Sequence, residues 1–343
     1  MDAPACFPGF GLAASLSAPV GILGTGYYVP EDRLTNAELA PLLGQSEDWI
    51  LERSGIRERR VARSDQASSD LGLVAAQRAL ERAALRPEDI DAVLVTTFSP
   101  DHLSPSTACI LQNALGVPHA AAMDLNAACS GFVYGFATAI SLIRSGMAGH
   151  VLLVGAETLS RFTNRADASF GVLLGDGAGA MVLGPVARGA GALSLVFGSN
   201  GAGAHSAELP AGGSRLPASS ETLATGLHAY RQDGKAVYRF ATRVFQDATM
   251  EALGRAEARL EDISWLFPHQ ANGRIIESGA KRLGIAPERV WVNADRFGNT
   301  SSASIPIAIA EADEQGRLHP GAVIAAVGFG AGLVWGATVI RWV

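Results

Sequence analysis

The chain has 343 residues, of which 48% are hydrophobic and only 17% charged, which is enough for two domains or one large duplicated one around a sizeable core. A net charge of -6 argues against a general nucleic-acid binder, whose footprint is basic, and no apolar run reaches the ~18 residues of a membrane span. Cys6, Cys109 and Cys129 show no paired spacing and no zinc pattern accompanies them, so neither disulfides nor a metal is indicated; with no basic segment at the N-terminus to make a signal peptide, the expectation is a soluble cytoplasmic protein.

Residues 1–18 show no clear period and are expected to be an extension. Val20 to Gly26 reads as an apolar strand; its Gly24-Thr-Gly26 is no dinucleotide loop, because the third glycine is missing and Tyr27 to Pro30 cannot open a helix. Helices are predicted over 36–43 and 46–53. Ser69-Asp70 is expected to cap a helix reaching about Leu85, followed by a strand over 92–97 and a helix over 105–115. A short buried strand over 121–125 then leads to Cys129 and a helix over 133–143, and 151–155 reads as another buried strand. The first half is thus alternating α/β with a largely buried sheet.

The second half repeats the style. A strand over 193–197 precedes a polar, glycine-rich loop from Ser199 to about Gly226, whose length suggests function or mobility. A long helix over 236–260, a strand over 264–267, a helix over 273–283, a short strand over 290–293, a helix over 304–315 and strands over 322–327 and 334–341 complete the chain. Gly175-Asp-Gly-Ala-Gly-Ala-Met echoes Gly328-Phe-Gly-Ala-Gly-Leu-Val, each a glycine turn beside an apolar strand, as two related halves would produce. Boundaries at 19–190 and 191–343 follow from this.

Cys129 lies between a strand and a helix start, where unpaired N–H groups and the helix dipole favour the thiolate. An ordinary core cysteine is the competing reading. Phe267-Pro-His-Gln-Ala-Asn272 leaves His269 and Asn272 in a turn, Asp295 to Ser304 offers Asn299 as a neutral donor, and Gly328 to Gly332 lets main-chain N–H groups approach a ligand. Cysteine, histidine and asparagine serve a papain-like hydrolase, in which histidine takes the thiol proton, or a Claisen condensation, in which histidine and asparagine both donate to a thioester enolate. These residues by themselves leave both open.

Ala128-Cys-Ser-Gly-Phe132, His269-Gln-Ala-Asn272, Gly298-Asn-Thr-Ser301 and Gly330-Ala-Gly-Leu-Val-Trp-Gly336 resemble β-ketoacyl-acyl carrier protein synthase III, the initiating condensing enzyme of fatty acid synthesis, from about Gly21 onward. Asn299 stands where chain-elongating synthases carry a second histidine. The resemblance implies an α/β thiolase-like fold of two duplicated halves in α-β-α-β-α layers, a homodimer, and no cofactor beyond a CoA thioester as substrate. It implies catalytic Cys129, His269 and Asn299, an oxyanion hole of the Cys129 and Ala331 N–H groups, CoA contacts at Trp49, Arg53 and Asn272, and acyl-CoA and malonyl-acyl carrier protein as partners. Arg239, Arg274, Lys281 and Arg282 match a cationic docking patch for the acidic carrier protein.

Two departures from the pattern stand out. Ala168 replaces an arginine that would close over the adenine against Trp49, and Ser104 replaces a bulkier group that enters the partner's acyl tunnel, implying a roomier acyl pocket. The alternatives are a synthase-III-like acyltransferase that moves an acyl group to an alcohol or amine without decarboxylation, and a non-catalytic scaffold.

Overall fold

The computed structural model describes residues 19–343, so the expected extension over residues 1–18 lies outside the described residues. The first half runs β1 (Val20–Tyr28), β2 (Arg33–Thr35), α1 (Asn36–Leu43), α2 (Glu47–Ser54), β3 (Glu58–Arg60), α3 (Ser68–Ala83), β4 (Ala92–Thr96), α4 (Thr107–Leu115), β5 (Ala121–Leu125), α5 (Gly131–Arg144), β6 (Val151–Thr158) and β7 (Asp176–Pro185). Capping chemistry sets several bounds. The Ser106 hydroxyl accepts the Cys109 N–H, so α4 starts two residues after Pro105. The Asp70 carboxylate accepts the Ala67 N–H, which moves the start of α3 ahead of the expected Ser69-Asp70 cap, and Ala84 in left-handed backbone ends it before Leu85.

The second half runs β8 (Gly191–Ser199), β9 (Ala207–Glu208), α6 (Ser220–Ala224), β10 (Arg231–Gln232), α7 (Gly234–Arg255), β11 (Ile263–Pro268), α8 (Gly273–Leu283), α9 (Ala294–Phe297), α10 (Ser304–Glu314), β12 (Val323–Gly330) and β13 (Val334–Arg341). The expected loop after Ser199 holds a 3-10 turn, α6, and β9 paired with β10. The long helix stops at Arg255 rather than Leu260, because Glu257 turns left-handed. The strand expected over 290–293 is reduced to one bridge between Val290 and Leu266; the Trp291 and Asn293 side chains both turn to the Glu311 carboxylate and take the backbone away from the sheet.

The duplication is visible in the sheet orders. Counting β1, β4, β5, β6 and β7 as first to fifth, the first sheet runs first, fifth, fourth, second, third. The second sheet runs β8, β13, β12, β11, with Val290 bridging the far side of β11, which is the same order with the third strand reduced to a bridge. Strand directions repeat too, antiparallel for the first two neighbours and parallel thereafter. The helices follow suit: α3 and α4 cover the outside of the first sheet, α7 and α8 cover the outside of the second, and α5 and α10 fill the layer between them.

Central position dictates composition. Every residue of α10 from Ser304 to Ala312 is buried, as a helix with sheets on both sides requires. β5, by contrast, is the edge of its sheet, and its exposed or half-buried side chains correct the expectation of a buried strand. A free edge leaves its outer backbone groups and residues such as Met123 uncovered within one chain. Among the described residues no helix is long and apolar enough to cross a membrane.

Candidate active site

Cys129 sits in a 3-10 turn, Ala128–Ser130, that runs straight into α5. The Asn126 side chain accepts the Ala128 N–H, and Ala128 adopts φ 43°, a left-handed conformation costing an alanine about 1 kcal/mol or more. The Ser301 hydroxyl donates to the sulfur at 3.3 Å. Burial, with a smaller push from Glu157, drives the thiol up to about 12, while the Ser301 hydroxyl and the cysteine's own N–H pull the other way. The sequence expectation of a stabilised thiolate is therefore corrected. A helix end is worth about 1 kcal/mol, and removing the charge from water outweighs it.

His269 follows β11, its N–H donating to the Val327 carbonyl at 2.8 Å. Its ring is 2% exposed, and Nδ1 lies 2.7 Å from the Ser304 hydroxyl. That hydroxyl also accepts the Gln270 N–H, and donating its own proton to Nδ1 would put the ring hydrogen on Nε2. Burial lowers the imidazole to about 3, which keeps it neutral near pH 7. Asn299 is pinned at both ends, by its N–H on the Leu173 carbonyl and by its carbonyl accepting the Gly175 N–H. Its Oδ1 accepts the Ser301 N–H at 2.9 Å, which orients the amide and leaves Nδ2 as the donor end.

The three side chains line one cavity of about 790 Å³. Gly330, at the end of β12, presses on Cys129: a Cβ there would stand 2.8 Å from the Cys129 nitrogen. Glycine is thus required for β12 to bring the next residue, Ala331, into the cavity wall beside the nucleophile. Exposed Arg53, Arg239 and Arg274 line the same cavity, giving a cationic mouth above a buried floor. Such a site can hold an anionic, elongated thioester with its carbonyl beside Cys129 and two neutral donors.

The remaining expected residues fall in several places. Asn272 lines the cavity and also caps α8, its Oδ1 accepting the Ile275 N–H. Trp49 is half-buried and covered by Arg53 of the same helix, whose guanidinium carbon is 5.1 Å from the ring centroid. Ala168 is half-buried, and the next two residues line the cavity. Ser104 is exposed before α4 and is not part of the cavity wall within its own chain. Lys281 and Arg282 are exposed further along α8, with Glu277 between them and Arg274.

Glu157 escaped sequence reasoning, and Ser301, Ser302 and Ser304 lay within stretches singled out there without a role of their own. The available signal for Glu157 was one carboxylate closing an apolar run, Val151 to Ala156.

Family models agree with this geometry: one described as 3-oxoacyl-[acyl-carrier-protein] synthase III matches residues 123–201, and one described as its C-terminal part matches residues 253–342. The chain is 51% identical over 324 residues to the β-ketoacyl-[acyl-carrier-protein] synthase III of Symbiobacterium thermophilum, covering 94% of this chain and 98% of that protein. It is 49% identical over 322 residues to the synthase III of Caldanaerobacter subterraneus, covering 94% and 97%. The crystal structure of the Thermus thermophilus synthase III superposes with a TM-score of 0.87 at 43% identity, covering 94% of this chain and 99% of that one.

Duplicated halves, a cysteine at one central helix and neutral donors beside it define a condensing acyltransferase of thiolase-like fold. Within that class, the chain belongs to the β-ketoacyl-acyl carrier protein synthase III family.

Proposed function

We propose that this enzyme condenses an acyl-CoA with malonyl-acyl carrier protein through an acyl-cysteine, releasing CO2 and giving a 3-oxoacyl-carrier protein. The observation that carries the reading is the meeting of Cys129, His269 and Asn299 in one cavity. Cys129 Sγ attacks the thioester carbonyl and CoA leaves, the thiol proton finishing on the departing CoA sulfur. The oxyanion lies between the N–H groups of Cys129 and Ala331, each such donor being worth about 3 kcal/mol. Malonyl-carrier protein then loses CO2, and its enolate oxygen accepts hydrogen bonds from His269 Nε2 and Asn299 Nδ2. Both donors are neutral, so neither is consumed as an acid. The carbanion attacks the acyl-cysteine, the Cys129 sulfur departs as a thiolate, and a proton from solvent restores the thiol.

Arg53, Trp49 and Asn272 would meet CoA, and with alanine at 168 one half of the clamp over the adenine is missing, Arg53 itself lying on the Trp49 ring. Arg239, Arg274, Lys281 and Arg282 would receive the carrier protein. Residues 19–190 and 191–343 would be the duplicated units. Two copies would pair through the free edge of β5, bringing Ser104 and the 88% exposed Leu103 toward a partner's cavity, in the cytoplasm. The acyl-CoA and malonyl-carrier protein are substrates, and no further cofactor is called for.

Intact-protein mass after incubation with acyl-CoAs of several lengths tests this, since one acyl group should add to the wild type and none to Cys129→Ala. Acceptance of acetyl-CoA alone would refute the roomier pocket. Acyl transfer to an alcohol or amine is disfavoured, because it has less need of a second neutral donor at Asn299.

A further inference from the structure

The turn beside Asn299 is a second copy of the turn that carries Cys129. Ala128–Ser130 leads into α5 and Ser301–Ala303 leads into α10, and each opens on a left-handed residue, Ala128 at φ 43° and Ser301 at φ 46°. A Cβ on Gly328 of β12 would stand 3.3 Å from the Cys129 carbonyl oxygen, and one on Gly155 of β6 would stand 2.7 Å from the Ser302 carbonyl oxygen. Ser302 is thus the counterpart of Cys129, and two residues along the strands Glu157 is the counterpart of Gly330. Where one half keeps glycine and opens a cavity, the other fills the space with a carboxyl group.

That carboxyl group has no cation: among the described residues no ion pair involves Glu157. Oε2 accepts from the Thr97 and Ser99 hydroxyls and from the Phe98 and Ser99 N–H groups. On the other side, the Ser302 hydroxyl lies 2.6 Å from Oε1 and 2.7 Å from the Thr96 carbonyl. A hydroxyl has one proton, and the Thr96 carbonyl can only accept. The Ser302 N–H donates to Oε1 as well, at 3.4 Å; the hydroxyl proton lies either on Oε1 or on Thr96, and in the second arrangement the short contact carries the proton of a neutral Glu157. Cys129 and Tyr230 are the ionisable groups on which the Glu157 charge acts, and neither is cationic.

We propose that Glu157 is a positioning residue that works as the neutral acid: through Ser302 it holds the turn bearing Ser301 and Asn299 against Cys129, and its ionisation would set an unpaired charge beside the nucleophile. Burial supports this by raising the carboxyl to about 7. The proposal rests on Cys129 being the nucleophile of the condensation.

The test is the pH dependence of Cys129 alkylation by iodoacetamide in the full chain, followed by peptide mass for wild type, Glu157→Gln and Glu157→Ala. Glutamine copies the neutral acid, donating to Ser302 through its amide and accepting through its carbonyl. The wild-type rate should rise with pH, flatten as Glu157 ionises near 7, and then run about tenfold below the step-free line of E157Q. E157A should lower kcat for condensation about tenfold with the KM for malonyl-carrier protein little changed, and E157Q should restore it. Parallel wild-type and E157Q profiles, or no restoration by glutamine, would overturn the proposal. If E157A does not fold, the wild-type and E157Q profiles alone decide. Alkylation needs no acyl donor, so failure of acyl-CoA to label Cys129 overturns the function above without touching this result.

Discussion

The turns at Ala128–Ser130 and Ser301–Ala303 occupy the same place in the two halves, yet one carries the proposed nucleophile at the cavity and the other is buttressed core. The difference comes from the strand facing each. Gly330 leaves room beside Cys129 for a substrate carbonyl and a main-chain N–H, whereas Glu157 closes the space beside Ser302 with a hydrogen-bonded carboxyl group. Duplication supplies two equivalent turns, and on the reading proposed above the second is the fixed support that aims Asn299 and Ser301 at the first.

Several substitutions would break that contrast. Gly330→Val forces the Cys129 turn away from β12, and acyl-cysteine formation should fall about 1000-fold because both proposed oxyanion donors are displaced. Single-turnover labelling measures it. Asn299→Ala should leave labelling intact while condensation slows about 100-fold, separating the two chemical steps by carbon dioxide release and product mass.

Stability offers a gentler probe. Glu157 sits at about 7 in the folded state against 4.5 for the ordinary carboxyl group, so its contribution is whole below 4.5 and is lost as pH rises through about 7. Urea midpoints of the wild type should therefore decline across that window relative to E157Q, and matching curves would refute the assignment. Lys281→Glu, on the exposed face of α8, should raise the KM for malonyl-carrier protein about fivefold and leave acyl-CoA labelling unchanged. Finally, Cys129→Ala combined with Ser302→Cys should gain no acyl label, since the second turn faces a filled space.

Much of this was legible in the sequence, and the reasons differ by residue. Strongly periodic or apolar segments such as α8 and β13 declare themselves, and Cys129, His269 and Asn299 stand in distinctive short motifs. What eluded the sequence depends on distant partners. Nothing local says that β5 is an edge, or that Trp291 and Asn293 abandon a strand for Glu311. The thiol's rise to about 12 likewise depends on how completely other segments exclude water around Cys129, which a helix-end argument cannot see.

The central claim is that one cysteine holds the acyl group while a decarboxylated malonyl unit attacks it. The most direct test incubates the protein with acyl-CoA, records the intact mass, adds malonyl-carrier protein, and follows carbon dioxide and carrier-protein mass together. The account predicts one acyl group on Cys129, its loss in step with carbon dioxide release, and a 3-oxoacyl carrier protein. Acyl label on Cys129→Ala, or transfer to the carrier protein without carbon dioxide, would contradict it.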